Sequence, residues 1–185
     1  MTTKDEILDL IRESLHAATV QRTPFTLGYL GTIGLDGSPR VRAVILRRVD
    51  PAHDRIMFAT DVRSEKVTEI RRVPRVALTV TDDRCGVQVR CEGRAGLVDD
   101  PEERAAAWET FAPHSRTLYD SPLVPGSPLA AESLCRGDDS TAFERFAWVG
   151  IDVDRFDRLD LSASPHTRWV LDRRDGGWNG RRVVP

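Results

Sequence analysis

Apolar residues Ile7, Leu8, Leu10, Ile11 and Leu15 recur at three- and four-residue spacings. That period predicts a helix over 4–18 with one buried face and Thr2 or Thr3 as its cap. After Pro24 the period changes. Phe25, Leu27, Tyr29, Thr32 and Ile33 predict a strand, and Asp36-Gly37 a hairpin turn into a second strand over 41–49. Pro51-Ala52-His53-Asp54 marks another turn before a third strand over 56–60. Ser64 then stands where a helix cap would, followed by an apolar stripe of Val67, Ile70 and Val73 that Pro74 stops. Strand character returns over 76–81 and 87–97, with Gly86 and Gly96 as bends or bulges. Five short strands around one helix predict a small barrel.

Pro101 suits the first turn of a further helix through Glu102, Ala105 and Trp108. The stretch 113–140 is rich in Pro, Ser, Gly and Asp, and predicts a long surface or lid segment. From 143 to 185 the pattern returns to strands, at 146–153, 156–161 and 168–171, closing near Trp178. The fold class expected is mainly β, a barrel with peripheral helices. A chain of 185 residues predicts a single domain spanning 1–185.

Charge narrows the possible functions. With 27 basic and 29 acidic residues the net charge is -2, so attraction of the whole protein to nucleic acid is not expected and any anion site must be local. Cys85, Cys91 and Cys135 are odd in number and lack CxxC spacing, which argues against a disulfide framework or a metal site and for a reducing compartment. Met1 to Leu10 has no continuous apolar stretch of the signal-peptide kind, and no later run is long enough to span a bilayer. A cytoplasmic protein without membrane attachment is expected. No GxGxxG follows a strand, which argues against a dinucleotide-binding dehydrogenase.

Within this balanced chain, one region concentrates cations and hydroxyls. Arg42-Ala43-Val44-Ile45-Leu46-Arg47 is followed by Phe58-Ala59-Thr60-Asp61-Val62-Arg63-Ser64-Glu65-Lys66. Guanidinium and ammonium groups bind a phosphate dianion by charge-assisted hydrogen bonds, and hydroxyls and helix-start amides add neutral donors. Arg42 and Arg47 are separated by an odd number of residues, so a regular strand points them to opposite faces. Either a bulge intervenes or the two meet different parts of a ligand.

The order of segments resembles the pyridoxamine 5'-phosphate oxidase family of FMN-binding split barrels. The family's Arg-x-Val-Leu-Leu-Lys strand is matched by 42–47, its Tyr-Thr-Asn by 59–61, and its Ser-Arg-Lys by Ser64-Glu65-Lys66. Its Arg-Gln-Val-Arg-Val-Glu-Gly is matched by Val87-Gln88-Val89-Arg90-Cys91-Glu92-Gly93. The ending His166-Thr167-Arg168, Trp178 and Arg182-Val183-Val184-Pro185 is similar to the family's own, and the resemblance covers about residues 22 to 185.

The resemblance implies FMN as cofactor, with Arg42, Ser64 and Lys66 at its phosphate and Arg47 near the ring or ribityl chain. It places Thr60 and the backbone of Val44 and Ile45 at the isoalloxazine edge. It further implies a homodimer with FMN at the subunit interface, Gln88 and Arg168 reaching the partner's cofactor. His166 and Arg116 are the candidates for contacting a small-molecule substrate, and no catalytic side chain is assigned, because the redox chemistry belongs to the flavin.

Departures from the family pattern fall on both the cofactor pocket, where Glu65 removes a cation and adds an anion, and the substrate side. Ala59 replaces the family's tyrosine, and Glu65 replaces an arginine, for which Arg63 is the nearest compensating cation. Ser164 stands where the family has a phosphate-gripping arginine. These differences imply a divergent FMN-binding branch more than the oxidase proper. The expected activity is that of an FMN-dependent oxidoreductase acting on an undetermined small molecule, the alternative being a flavin carrier or sensor without turnover.

Overall fold

The computed structural model describes residues 2–129, 141–174 and 176–185. Helix α1 (Lys4–Val20) forms as its periodicity requires, burying Ile7, Leu8, Ile11, Leu15 and Ala18. Thr3 caps it, exchanging hydrogen bonds with Glu6 in a capping box that satisfies two otherwise orphaned donors. A short 3₁₀ turn over Pro24–Thr26 precedes strand β1 (Leu27–Ile33), so the first strand starts two residues later than Phe25 suggested.

Strands β2 (Pro39–Asp50), β3 (Arg55–Asp61), β4 (Arg75–Asp82), β5 (Val87–Leu97) and β6 (Phe146–Asp160) complete the barrel. Its order is β3-β2-β1-β4-β5-β6, and an antiparallel β3–β6 pairing closes the sheet. Closure removes exposed edges from these strands. Strands β7 (Thr167–Arg174) and β8 (Gly177–Val183) extend from β6 outside the closed ring. The mainly β barrel with peripheral helices is therefore the observed architecture.

Two strand expectations change. The segments expected at 146–153 and 156–161 form one continuous strand, β6, because its first half pairs with β3 while its second half pairs with β7, and β5 follows both. The irregularity expected at Gly96 falls instead between Glu92 and Gly93. A Cβ on Gly93 would stand 2.2 Å from the Asp152 carbonyl oxygen, so only glycine admits this approach.

Helix α2 (Glu65–Arg72) crosses beside β1 and β5, and α3 (Pro101–Glu109) lies against β6. The 113–140 stretch is not wholly irregular. It begins with α4 (Pro113–Arg116) and a 3₁₀ turn over Thr117–Tyr119, while its part over 130–140 lies outside the described residues. A last short helix, α5 (Ala142–Arg145), leads into β6.

Packing divides into two cores. The larger fills the barrel and the underside of α1, with Leu30, Leu46, Phe58, Leu78, Val149 and Phe156 fully enclosed. The smaller, under α3, gathers Met57, Phe111, Tyr119, Phe146 and Trp148, with Trp108 and Phe143 at its rim. Of the four tryptophans, Trp108 and Trp148 anchor this second core. Trp178 stacks on Phe156 with centroids 5.0 Å apart.

Asp54 ties the periphery to the barrel. It sits at φ 54° in the β2–β3 turn and is buried. Its carboxylate accepts two hydrogen bonds from Arg12 of α1, at 2.7 and 2.9 Å, and one from Trp178 Nε1 at 2.9 Å. Burying that charge is tolerable because every oxygen is matched by a donor.

Candidate functional site

The end of β3, the turn that follows it and the first turn of α2 bring together four of the expected residues. Lys66 Nζ donates to Thr60 Oγ1 at 2.9 Å, and Thr60 Oγ1 lies 3.3 Å from Ser64 Oγ. Ser64 occupies the N-cap of α2 but does not cap it through its side chain. Its hydroxyl donates to the Asp61 carbonyl at 2.7 Å, which tightens the turn and, among the described residues, leaves the first amides of α2 without a side-chain partner. Arg42 reaches the same place from β2, where it shares the inward face with buried Val44 and Leu46.

Lys66 is the informative member. It is half-buried, and among the described residues no carboxylate lies within salt-bridge distance of it. Loss of hydration holds its pKa below the ordinary lysine value, and the neighbouring Arg42 charge pushes it the same way; Asp61 and Glu69 oppose. A partly desolvated ammonium next to a guanidinium, two hydroxyls and a helix start can hold an oxyanion.

The same geometry carries a prediction for the ligand-free protein. A lysine whose folded pKa is lowered carries fewer protons folded than unfolded between that pKa and its ordinary 10.5. The penalty is complete below the folded pKa and is relieved as pH rises through this window. Lys66→Met is therefore expected to raise the thermal midpoint at neutral pH, with the advantage shrinking toward pH 10.5. Thermal melts across that range check the sign, and a lowered midpoint at pH 7 would show that Lys66 is structurally required.

Arg47 does not join this cluster. The β2–β3 register shifts between Leu46 and Arg48, a bulge that contains Arg47, and the two arginines take opposite faces. Arg47 projects toward the second core, its guanidinium 4.7 Å from the Phe111 ring centroid. Together with exposed Ile45 it lines an open cleft of about 990 Å³ bounded by the C-terminal end of α1, Phe111 and His114. Among the described residues Arg47 has no carboxylate partner.

Arg63 is committed elsewhere. It makes a two-pronged pair with Asp61, at 2.6 and 3.0 Å, and donates to the carbonyls of Ser121 and Pro122. Arg145 donates to the two preceding carbonyls, Tyr119 and Asp120. Four successive carbonyls are thus held by two arginines, which fasten this strap against the β3–α2 turn. Burial pushes the Tyr119 hydroxyl up to about 12, so it stays protonated beside Arg47.

Gln88 and Arg168 join neither the Lys66 cluster nor the Arg47 cleft. Gln88 pairs with Leu159, and Leu159 with Arg168, forming one row across β5, β6 and β7. Arg168 holds buried Asp157 by two hydrogen bonds, at 2.8 and 3.0 Å, and Arg90 holds the same carboxylate. His166 is exposed, with Nδ1 3.2 Å from the Ala163 carbonyl oxygen. Arg116 closes the end of α3, donating to the Phe111 and Glu109 carbonyls and to the Glu109 carboxylate.

The fold and this distribution of cations can be set beside known proteins. A family model described as pyridoxamine 5'-phosphate oxidase matches residues 15–155. The chain belongs to that family. It is 34% identical over 170 residues to pyridoxine/pyridoxamine 5'-phosphate oxidase 2 of Arabidopsis thaliana, covering 84% of this chain and 85% of the relative. A pyridoxine/pyridoxamine 5'-phosphate oxidase of Thermosynechococcus vestitus is 39% identical over 174 residues, covering 84% and 77%.

Among solved structures, a pyridoxamine 5'-phosphate oxidase-related, FMN binding protein from Nostoc punctiforme superposes with TM-score 0.80 at 24% identity, covering 96% of both chains. PhzG from Burkholderia lata, solved with tetrahydrophenazine-1-carboxylic acid, superposes with TM-score 0.78 at 19% identity, covering 97% and 92%. At these identities the likeness establishes the fold, the FMN-binding split barrel. No helix among the described residues is long and apolar enough to cross a membrane.

Sequence reasoning missed three carboxylates at or near the family's site residues. Glu65, which stands where the family has an arginine, is exposed; Glu69 is buried beneath Arg42. Asp61 and Asp157 engage Arg63 and Arg168. Glu69 had one legible signal, its place beside the buried stripe of Val67 and Ile70 on α2.

Proposed function

We propose that the protein binds FMN and works as an FMN-dependent oxidoreductase on a small organic molecule. The observation that carries this reading is the half-buried Lys66 ammonium, beside Arg42, Thr60 and Ser64, with no carboxylate of its own among the described residues. FMN, when bound, supplies a two-electron redox centre, and the chain has to bind it, orient it and restrict water. Arg42 and Lys66 hold the phosphate; Arg47, on the other face of β2, meets a more distant part of the ligand or the substrate. FMN is favoured over a dinucleotide because no GxGxxG follows a strand and Arg42 and Lys66 gather at one phosphate-sized cluster.

The absorbance spectrum of freshly purified protein, followed by release and identification of the chromophore, tests the cofactor. A flavin spectrum with FMN released supports the reading, and a colourless protein that takes up no FMN refutes it. Anaerobic reduction with NADH and NADPH then distinguishes turnover from simple carriage.

The substrate is proposed to differ from pyridoxamine 5'-phosphate. Ser164 carries no charge where the family grips a phosphate, and Arg116, the nearest replacement expected on α4, is used up on Glu109 and the end of α3. Each missing charged hydrogen bond removes roughly 1.5 to 3 kcal/mol from dianion binding. Oxidase assays reading pyridoxal 5'-phosphate formation should give a kcat/KM well below about 10⁴ M⁻¹s⁻¹. A value at or above that level would restore the vitamin as substrate.

The working unit is proposed to be a homodimer. The outer face of β1 and β2 presents Leu27, Tyr29, Ile33, Val41 and Ile45 to solvent, with Val41 70% and Tyr29 47% exposed. The register sets Leu27 beside Ile45 and Tyr29 beside Ala43, making one continuous apolar patch. A patch of this kind favours a self-complementary two-fold contact. Tyr29→Arg combined with Val41→Arg is expected to yield a folded monomer with weakened FMN binding. Sedimentation showing an unchanged dimer would place the interface elsewhere.

A further inference from the structure

We infer that Glu69 is the positioning residue of the anion site, setting the Arg42 guanidinium through a closed ring of hydrogen bonds that includes Thr32. The inference rests on the phosphate reading above and adds to it the group that selects the phosphorylated ligand.

Glu69 is only 2% exposed, and its Oε2 accepts from Thr32 Oγ1 at 2.6 Å and from Arg42 Nη2 at 2.8 Å. Arg42 Nη1 donates to the same Thr32 oxygen, so three side chains from β1, β2 and α2 close on one another. An arginine offers five N–H donors. The ring uses two of them and, among the described residues, leaves Nε–H and the outer N–H of each terminal nitrogen free. A long side chain on a strand would otherwise sample several rotamers; here the loss of that freedom occurs during folding instead of on binding.

The ring also sets the local charge. Arg42 and Lys66 alone would place two cations side by side in a half-buried site, each disfavouring the other. Glu69 lies three residues beyond Lys66 on α2 and compensates one of them. The charged groups acting on Lys66 are Arg42 from β2, Asp61 from β3 and Glu69 from its own helix, and only the carboxylates favour its protonated form. Removing the Glu69 charge should therefore make Lys66 lose its proton at lower pH, which moves the alkaline limit of phosphate binding down.

Glu69→Gln retains shape and acceptor oxygen while removing the charge; Thr32→Val removes only the hydroxyl at constant volume. Apo-protein would be titrated with FMN and with riboflavin, which lacks the phosphate, following quenching of flavin fluorescence from pH 6 to 10. The expected result is an FMN affinity about ten-fold or more weaker in Glu69→Gln with riboflavin affinity unchanged, a charged hydrogen-bond effect. The alkaline fall in FMN affinity should shift to lower pH, and Thr32→Val should show a smaller loss of the same selectivity. Should Glu69→Gln not fold, the FMN-to-riboflavin ratio of Thr32→Val decides.

An unchanged FMN-to-riboflavin ratio in the folded variants would overturn the inference, as would equal losses for both flavins, which would mark Glu69 as structural only. A wild-type protein that binds FMN no better than riboflavin would instead remove the phosphate site itself, and the inference with it.

Discussion

Arg42→Ala and Lys66→Ala are each expected to weaken the proposed FMN binding by about 1.5–3 kcal/mol, the worth of a charge-assisted hydrogen bond. Losses of that size correspond to roughly ten- to hundred-fold in Kd. The two substitutions should not be strictly additive, because both cations are proposed to address one phosphate and Arg42 lowers the Lys66 pKa. Without Arg42 the remaining lysine is more readily protonated and recovers part of the loss. In Arg42→Ala a second consequence appears, since buried Glu69 keeps, among the described residues, only Thr32 as a hydrogen-bond partner. That variant is expected to lose folding stability as well as affinity, whereas Lys66→Ala is not. Equilibrium titration of apo-protein with FMN, alongside denaturant unfolding, separates the effects. A double variant that retains wild-type affinity would place the cofactor phosphate elsewhere.

The largest stability effect is expected at Phe146, at the start of β6. Its ring is nearly fully buried and stands 5.1 Å from Trp108, 5.4 Å from both Phe111 and Tyr119, 6.2 Å from Trp148 and 6.5 Å from Phe143, centroid to centroid. Phe146→Ala removes the centre of this cluster and should cost about 3–5 kcal/mol, the range for a large core aromatic that leaves a cavity behind. The effect reaches toward the site because Phe146 pairs with Asp61 in the β3–β6 register and the adjacent Arg145 carbonyl accepts from the Val62 amide at 2.7 Å. Loosening here should free the strap held by Arg63 and Arg145. Urea unfolding measures the stability change, and a loss under about 1 kcal/mol would mean that the second core repacks around the gap.

Much of this architecture could be read along the chain because it is written in local periods. Helix α1 and strands β2, β4 and β5 follow the three-to-four and two-residue alternations of their apolar residues, which report directly which face is buried, whereas β3 buries Ile56, Met57 and Phe58 in succession. The parity of Arg42 and Arg47 was legible in the same way, and the pair does occupy opposite faces. Where local signals were weak, local reading stopped. Residues 113–119 form short helical turns because Phe111 and Tyr119 are drawn into a core built from β3 and β6, and no period within those few residues announces it. The join of two expected strands into β6 depends on having different partners along its length, which is a property of the sheet.

The chain alone therefore determined the fold class, the order of elements and the types of residue gathered around the β3–α2 turn, including Arg42, Thr60, Ser64 and Lys66. Tertiary structure decided which charges meet. Arg42 and Glu69 are 27 positions apart, Arg168 and Asp157 11, and Arg63 reaches carbonyls 58 and 59 positions away. Such pairings leave no periodic trace, since an ion pair asks only that two side chains be close in space, and closeness between distant residues is set by strand register and barrel closure. Lys66 looks like any first-turn lysine in the sequence; its lowered pKa arises only when folding strips its water and places Arg42 beside it.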